Sequence, residues 1–139
     1  MGKVLILISS MFLWASFAMG SELLTLINAE RTSKGLSVLV EKTELGCAAV
    51  KHANDIGSRK TCSRIGADGS NVKKRVLDCG WVNPEFLGEL VACEKKPEAK
   101  YAFKAWLKVP SHYAYIMIEE MKFYGEGTKD GYWDVILAP

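Results

Sequence analysis

The sequence lacks the marks of several protein classes. Of its 139 residues, 18 are Lys or Arg and 16 are Asp or Glu, so neither sign of charge dominates. That balance gives no broad basic surface for nucleic acid or for an acidic membrane. Histidine is scarce, with His52 and His112 only, and neither stands at ligand spacing from a cysteine pair. There is no C-x-x-C and no G-x-S-x-G, so neither a zinc ribbon nor a nucleophile elbow is present. Ser111 and His112 are neighbours in sequence, which does not make a catalytic dyad, because the base must reach the hydroxyl across space. No internal repeat and no low-complexity segment occurs. Nor does any apolar run reach the roughly 20 residues that a helix needs to cross a bilayer; Val4 to Ala18 covers about 15.

What is present at the front is an export signal. Lys3 supplies the positive charge, the run to Ala18 the apolar region, and Ala18-Met19-Gly20 the small residues that a signal peptidase reads. Cleavage after Gly20 is expected, with residues 1–20 as signal peptide and 21–139 as a single domain. That length is ordinary for one hydrophobic core. The mature protein is expected to be secreted, extracellular or periplasmic, monomeric and without a stable membrane anchor.

All four cysteines, Cys47, Cys62, Cys79 and Cys93, fall in the mature part, and an even count in an exported chain favours disulfides. Three pairings are possible. Closure of short loops favours Cys47 with Cys62 and Cys79 with Cys93.

Periodicity organises the rest. Ser21 is placed to cap a first helix carrying Leu23, Leu24 and Ile27, which Gly35 ends. A second helix places Leu45, Ala48, Ala49, His52, Ala53 and Ile56 on one face, with Thr43 to cap it and Gly57 to stop it. Its alanine pairs and Gly46 allow another element to approach closely, and His52 reads as a core histidine. A third helix from about Asn71 carries Val72, Val76 and Cys79 on one side, with Lys73-Lys74-Arg75 read as a solvated face. Gly88 to Cys93 has β character. A fourth helix from Pro97 places Ala99, Ala102, Phe103, Trp106 and Leu107 on one face until Pro110 breaks it. Met121–Gly127 and Tyr132–Leu137 form a hairpin across Thr128-Lys129-Asp130-Gly131. Helices lead and strands close, which fits an α+β domain with a small antiparallel sheet between helices.

In this order the motifs resemble the CAP superfamily (cysteine-rich secretory, antigen 5 and pathogenesis-related proteins; the SCP domain) in its short bacterial form. Ile27-Asn28-Ala29-Glu30-Arg31 is similar to the opening L-[IV]-N-x-x-R. Thr61 to Gly69 is similar to F-S-H-x-G-x-D-G, and Gly88-Glu89-Leu90-Val91-Ala92 to G-E-N-[IL]-A. Trp106 with Pro110-Ser111-His112 resembles W-x-x-S-P-G-H, and Tyr124 to Gly127 with Tyr132-Trp133 resembles the closing strands. The resemblance implies an α-β-α sandwich whose cleft, in many members, holds two histidines and acidic residues able to bind a divalent metal. Glu89 and His112 match two of those positions. Arg64 replaces the first histidine, and no second glutamate matches. A guanidinium has no lone pair to offer a metal, so no metal and no cofactor are expected, zinc standing only as the alternative.

If the fold joins Arg64, Glu89 and His112, an Arg64–Glu89 pair is expected beside His112, with Arg64 able to hold a ligand carboxylate or phosphate. Tyr113 and Trp81 are the aromatic groove candidates. The expected function is a non-enzymatic, secreted CAP-like domain binding an apolar or amphiphilic ligand, such as a lipid, or a protein partner through its cleft and loops. The alternatives are a metal-dependent hydrolase, which Arg64 disfavours, and a structural role in the envelope.

Overall fold

The computed structural model describes residues 20–139, so the expected signal peptide lies, but for Gly20, outside the described residues. The first helix, α1 (Glu22–Ser33), opens where the Ser21 hydroxyl accepts the Leu24 N–H at 3.1 Å. It closes before Gly35, which takes a φ of 76°. A two-residue strand, β1 (Val40–Glu41), precedes α2 (Thr43–Arg59). Lys42, not Thr43, is the N-cap of α2. The helix also runs through Gly57 and ends only where Lys60 adopts the left-handed conformation. Gly57 serves close packing instead: a Cβ there would come within 2.9 Å of Lys129 Cβ.

Asn71 caps α3 (Val72–Asp78) by accepting the Lys74 N–H. Next come β2 (Gly88–Cys93), α4 (Ala99–Leu107) and α5 (Pro110–Ile116). Pro110 does more than end α4. It occupies the first turn of α5, where its missing N–H has no helical partner to lose. The hairpin of β3 (Phe123–Lys129) and β4 (Tyr132–Ala138) turns on Asp130-Gly131, both with positive φ, as a two-residue hairpin turn of this kind requires.

The strand order is β1-β3-β4-β2, with both β4 pairings antiparallel and β1 added in parallel at the β3 edge. Helices cover both faces. On one, Leu45, Ala48 and Ala49 of α2 and Val76 of α3 pack against Ile136 and Ala138. On the other, Leu23 and Ile27 of α1, Trp106 of α4 and Ile116 of α5 pack with Leu90 and Val135. The α+β sandwich expected from the motif order is therefore the observed architecture. Among the described residues no helix is long and apolar enough to cross a membrane.

The close approach expected of α2 exists, but the strand provides most of the room. A Cβ on Gly125 would collide with the backbone of Leu45 and Gly46, and one on Gly127 with Ala49 and Val50, whereas a Cβ on Gly46 itself would meet open space.

The disulfides correct the expected pairing. Cys47 bonds to Cys79, and Cys62 to Cys93. The helix between Cys47 and Arg59 alone rises about 18 Å, far beyond the roughly 7 Å that a disulfide spans between Cα atoms. Cys47–Cys79 instead pins the end of α3 to α2, and Cys62–Cys93 ties the loop after α2 to the end of β2. Each closes a loop just over thirty residues long, with sequence separations of 32 and 31. Chain entropy then gives about 3–4 kcal/mol per bond. Replacing Cys62 and Cys93 together by alanine is expected to remove about that much in urea denaturation, with the Cys47–Cys79 bond retained.

The Ile27–Arg31 motif proves architectural. Asn28 brackets Leu39, donating to its carbonyl and accepting its N–H. Arg31 is fully buried and donates to the carbonyls of Ser37, Ile116, Ile118 and Met121. The guanidinium thus caps the exposed carbonyl end of α5, where a cation is favoured.

Candidate functional site

Residues paired across adjacent strands share a face of the sheet. The register sets Val91 opposite Asp134 and Glu89 opposite Ile136, which places both acids on the face that α2 and α3 cover. Glu89 and Asp134 are both buried. The cation that meets them is Arg75 of α3, itself buried, whose Nη2 donates to Glu89 Oε1. Arg75 also donates to the carbonyl of Ser70 at 2.8 Å and to that of Arg64 at 3.2 Å. The expected Arg64–Glu89 pair is therefore replaced by Arg75–Glu89, and Lys73-Lys74-Arg75 is solvated only in its first two residues.

Neither Asp134 oxygen has a donor within the described residues. Burial, together with the adjacent Glu89, pushes the Asp134 carboxyl well above the usual carboxylate range. Burial also raises Glu89, and Arg75 opposes that rise. Both buried acids are thus driven towards their neutral forms, and the guanidinium opposes this most directly at Glu89. His52 stands at the edge of this cluster as expected of a core histidine: fully buried, with Nε2 at 2.7 Å from the Ser63 carbonyl. A carbonyl only accepts, so Nε2 carries the proton, and burial followed by Arg75 lowers the His52 pKa and keeps the ring neutral.

Arg64 lies outward of this lock. Its side chain is exposed, and its Nη2 stands 3.5 Å from His112 Nε2, a long contact bridging the loop after α2 and α5. Burial first, and then Arg64, lowers the His112 pKa, so His112 faces the guanidinium as a neutral ring. Arg64 forms no ion pair among the described residues. Tyr113 does not line the same place. One residue further round α5, its hydroxyl donates to Glu30 of α1 at 2.9 Å, on the opposite side of the sheet. Trp81 packs edge-on against Phe123 and donates to the Asn83 carbonyl.

Tested against a divalent cation, the donor set does not fit. The Glu89 carboxylate is engaged by Arg75, a guanidinium holds the position of the first histidine, and the remaining imidazole faces it. Among the described residues no three His, Cys, Asp or Glu side chains are grouped to hold a metal. The arrangement offers an exposed cation beside a neutral imidazole, suited to receiving an anion.

Sequence reasoning missed Arg75 and Asp134, although both carried a signal. Arg75 falls on the same helical stripe as Val72, Val76 and Cys79. Asp134 interrupts an otherwise apolar run in the strand that the hairpin makes central.

No protein-family model matches the chain, and no curated protein matches it by sequence. Solved structures do. An extracellular protein containing an SCP domain from Bacillus anthracis superposes with a TM-score of 0.77 at 18% identity, over 83% of this chain and 38% of that one. An outer surface protein from Borrelia burgdorferi gives 0.69 at 20% identity, over 83% and 87%. A cysteine-rich secretory protein from Staphylococcus aureus gives 0.67 at 16%, over 83% and 36%. The chain thus spans under two fifths of the Bacillus and Staphylococcus proteins and most of the Borrelia one. With its helices on both faces of the four-stranded sheet, this chain has the fold of the CAP superfamily, as its motif order implies.

Proposed function

We propose that this protein is an exported, non-enzymatic CAP-fold domain whose exposed Arg64–His112 surface binds the anionic head of an amphiphile. The observation that carries the reading is Arg64: an exposed guanidinium, unpaired with any acid among the described residues, beside a neutral imidazole. A carboxylate or phosphate oxygen supplies the anionic acceptor that Arg64 lacks, and the exposed Ile65 next to it adds apolar surface. Two disulfides and the extracellular or outer-surface character of the structural neighbours support export. A protein partner is the second reading, favoured by Val82 and Phe86, which stand 81% and 47% exposed in the α3–β2 connection.

The test compares a long-chain fatty acid with the alcohol of equal length, titrated into residues 21–139 and into its Arg64→Ala variant. The acid is expected to bind the unmodified protein, and Arg64→Ala to weaken it at least about tenfold, the worth of one charged hydrogen bond. Equal binding of acid and alcohol, or no effect of Arg64→Ala, contradicts the reading.

A further inference from the structure

A balanced total charge is not an evenly spread one. Between 94 and 108 the chain carries five lysines, Lys95, Lys96, Lys100, Lys104 and Lys108, against two acids, Glu94 and Glu98. All five lysines are exposed, and among the described residues none joins an ion pair. Elsewhere exposed cations do find acids: Lys73 meets Glu85, Lys74 meets Asp78 and Arg59 meets Asp55. Lys100, Lys104 and Lys108 recur at i, i+4 and i+8 along α4 and its C-cap, so they rise about 6 Å per step and drift only about 40° round the axis. By the same period the buried stripe of α4, Ala99, Ala102 and Trp106, lies on the opposite side. The lysines therefore form an outward-facing row along the whole helix.

Helix electrostatics accounts for part of this row. Lys104 and Lys108 stand at the carbonyl end of α4, where a cation is favoured, but Lys100 stands in its first turn, where the dipole disfavours one. Lys96, just before that turn, adds to the mismatch. Both nevertheless converge on one ring: Lys96 Nζ lies 5.0 Å and Lys100 Nζ 5.2 Å from the centroid of Tyr101. Lys96 also donates to the Tyr101 hydroxyl at 3.3 Å. Glu98, the N-cap residue between the two lysines in sequence, pairs with neither. Tyr101 thus gathers two like charges, and the protein supplies no anion to either.

We infer that this row is the docking surface for a linear acidic polysaccharide, one bearing a carboxylate or sulfate on successive sugars. Such a chain repeats its anions along an extended line, as the helix repeats its cations. Association then gains from release of the counterions held by the polymer. A lipid surface fits less well, because the apolar face of α4 is committed to the core and Val109, 40% exposed, is the one exposed large apolar side chain from 94 to 109. Insertion between lipids needs an apolar face that this helix does not offer. The choice of polysaccharide over nucleic acid rests on the export reading, while Arg64 and His112 take no part in the row.

The test titrates polygalacturonate, with dextran as its uncharged counterpart, into residues 21–139. Polygalacturonate is expected to bind at low salt and to weaken roughly tenfold between about 50 and 200 mM salt, with dextran inert. Lys100→Gln, Lys104→Gln and Lys108→Gln together are expected to weaken binding at low salt at least about tenfold and to flatten its salt dependence, whereas arginine at the same three positions retains both. Lys34→Gln, Lys51→Gln and Lys73→Gln together remove the same net charge elsewhere and are expected to leave the affinity within about twofold. Equal loss in the two glutamine triples, equal binding of dextran, or binding to phosphatidylglycerol vesicles but not to polygalacturonate overturns the inference. The titration reads the lysine row alone; the export reading fails separately, if the chain in cells keeps residues 1–20.

Discussion

Replacing Arg75 with methionine is expected to cost about 3–5 kcal/mol at neutral pH, the usual result of removing one partner of a buried ion pair. Methionine fills much of the volume, so the loss is of charge and hydrogen bonds. Glu89 is left buried without its cation, and the carbonyls of Ser70 and Arg64 lose their donor. The pH dependence identifies the cause. Glu89 and Asp134 already have raised pKa values in the folded protein, and taking away the guanidinium raises them further. Carboxyls raised by folding contribute stability that is present below their unfolded pKa and is lost as pH rises through the folded value. The Arg75→Met penalty should therefore be smallest near pH 4.5 and grow through neutrality, in urea denaturation at roughly those two conditions. A penalty under about 1 kcal/mol, or one independent of pH, contradicts the assignment of Arg75 as the cation of the cluster.

Gly127→Ala should be about as damaging, for a steric reason. The new methyl points into the backbone of Ala49 and Val50, and Gly125→Ala does the same to Leu45 and Gly46. Backbone cannot rotate aside as a side chain can, so α2 must lift from β3, and the cost lies at or above the upper end of the roughly 1–3 kcal/mol typical of overpacking. Gly46→Ala is the internal control. It sits on α2 at the same interface, yet its Cβ meets nothing within 4 Å. Relief of a helical glycine should then stabilise by up to about 1 kcal/mol. Thermal unfolding of the three variants checks both signs, and a destabilised Gly46→Ala variant would contradict the geometry.

The elements readable from the sequence are those whose periodicity agrees with their burial. The α2 stripe from Leu45 to Ile56 is buried as its spacing implies, and Asp130-Gly131 turns the hairpin where expected. β1 escaped because two exposed residues, Val40 and Glu41, carry no alternation; their strand character comes wholly from pairing with β3. The disulfide pairing was in principle readable, since a helix long enough to bury Ile56 carries Cys47 away from Cys62. Short loop length favoured the wrong partners because closure entropy says nothing about where a rigid helix delivers its ends.

The site was half readable. Glu89 and His112 stand out through the motifs around them, whereas Arg75 is masked by Lys73 and Lys74. Two arginines compete for Glu89, and nothing local to either decides between them. Tertiary placement does: α3 is pinned on α2 by Cys47–Cys79 with Arg75 facing inward, while the loop bearing Arg64 passes outside. That division yields a buried lock and an exposed cation, and the functional reading depends on the second.

Calorimetric titration of zinc into residues 21–139, beside an Arg64→His variant, tests this account most directly. A guanidinium in place of a ligand, with Glu89 held by Arg75, predicts no saturable binding by the unmodified protein. Measurable binding is expected only in the Arg64→His variant, where a second imidazole stands beside that of His112. Stoichiometric zinc binding by the unmodified protein would contradict it.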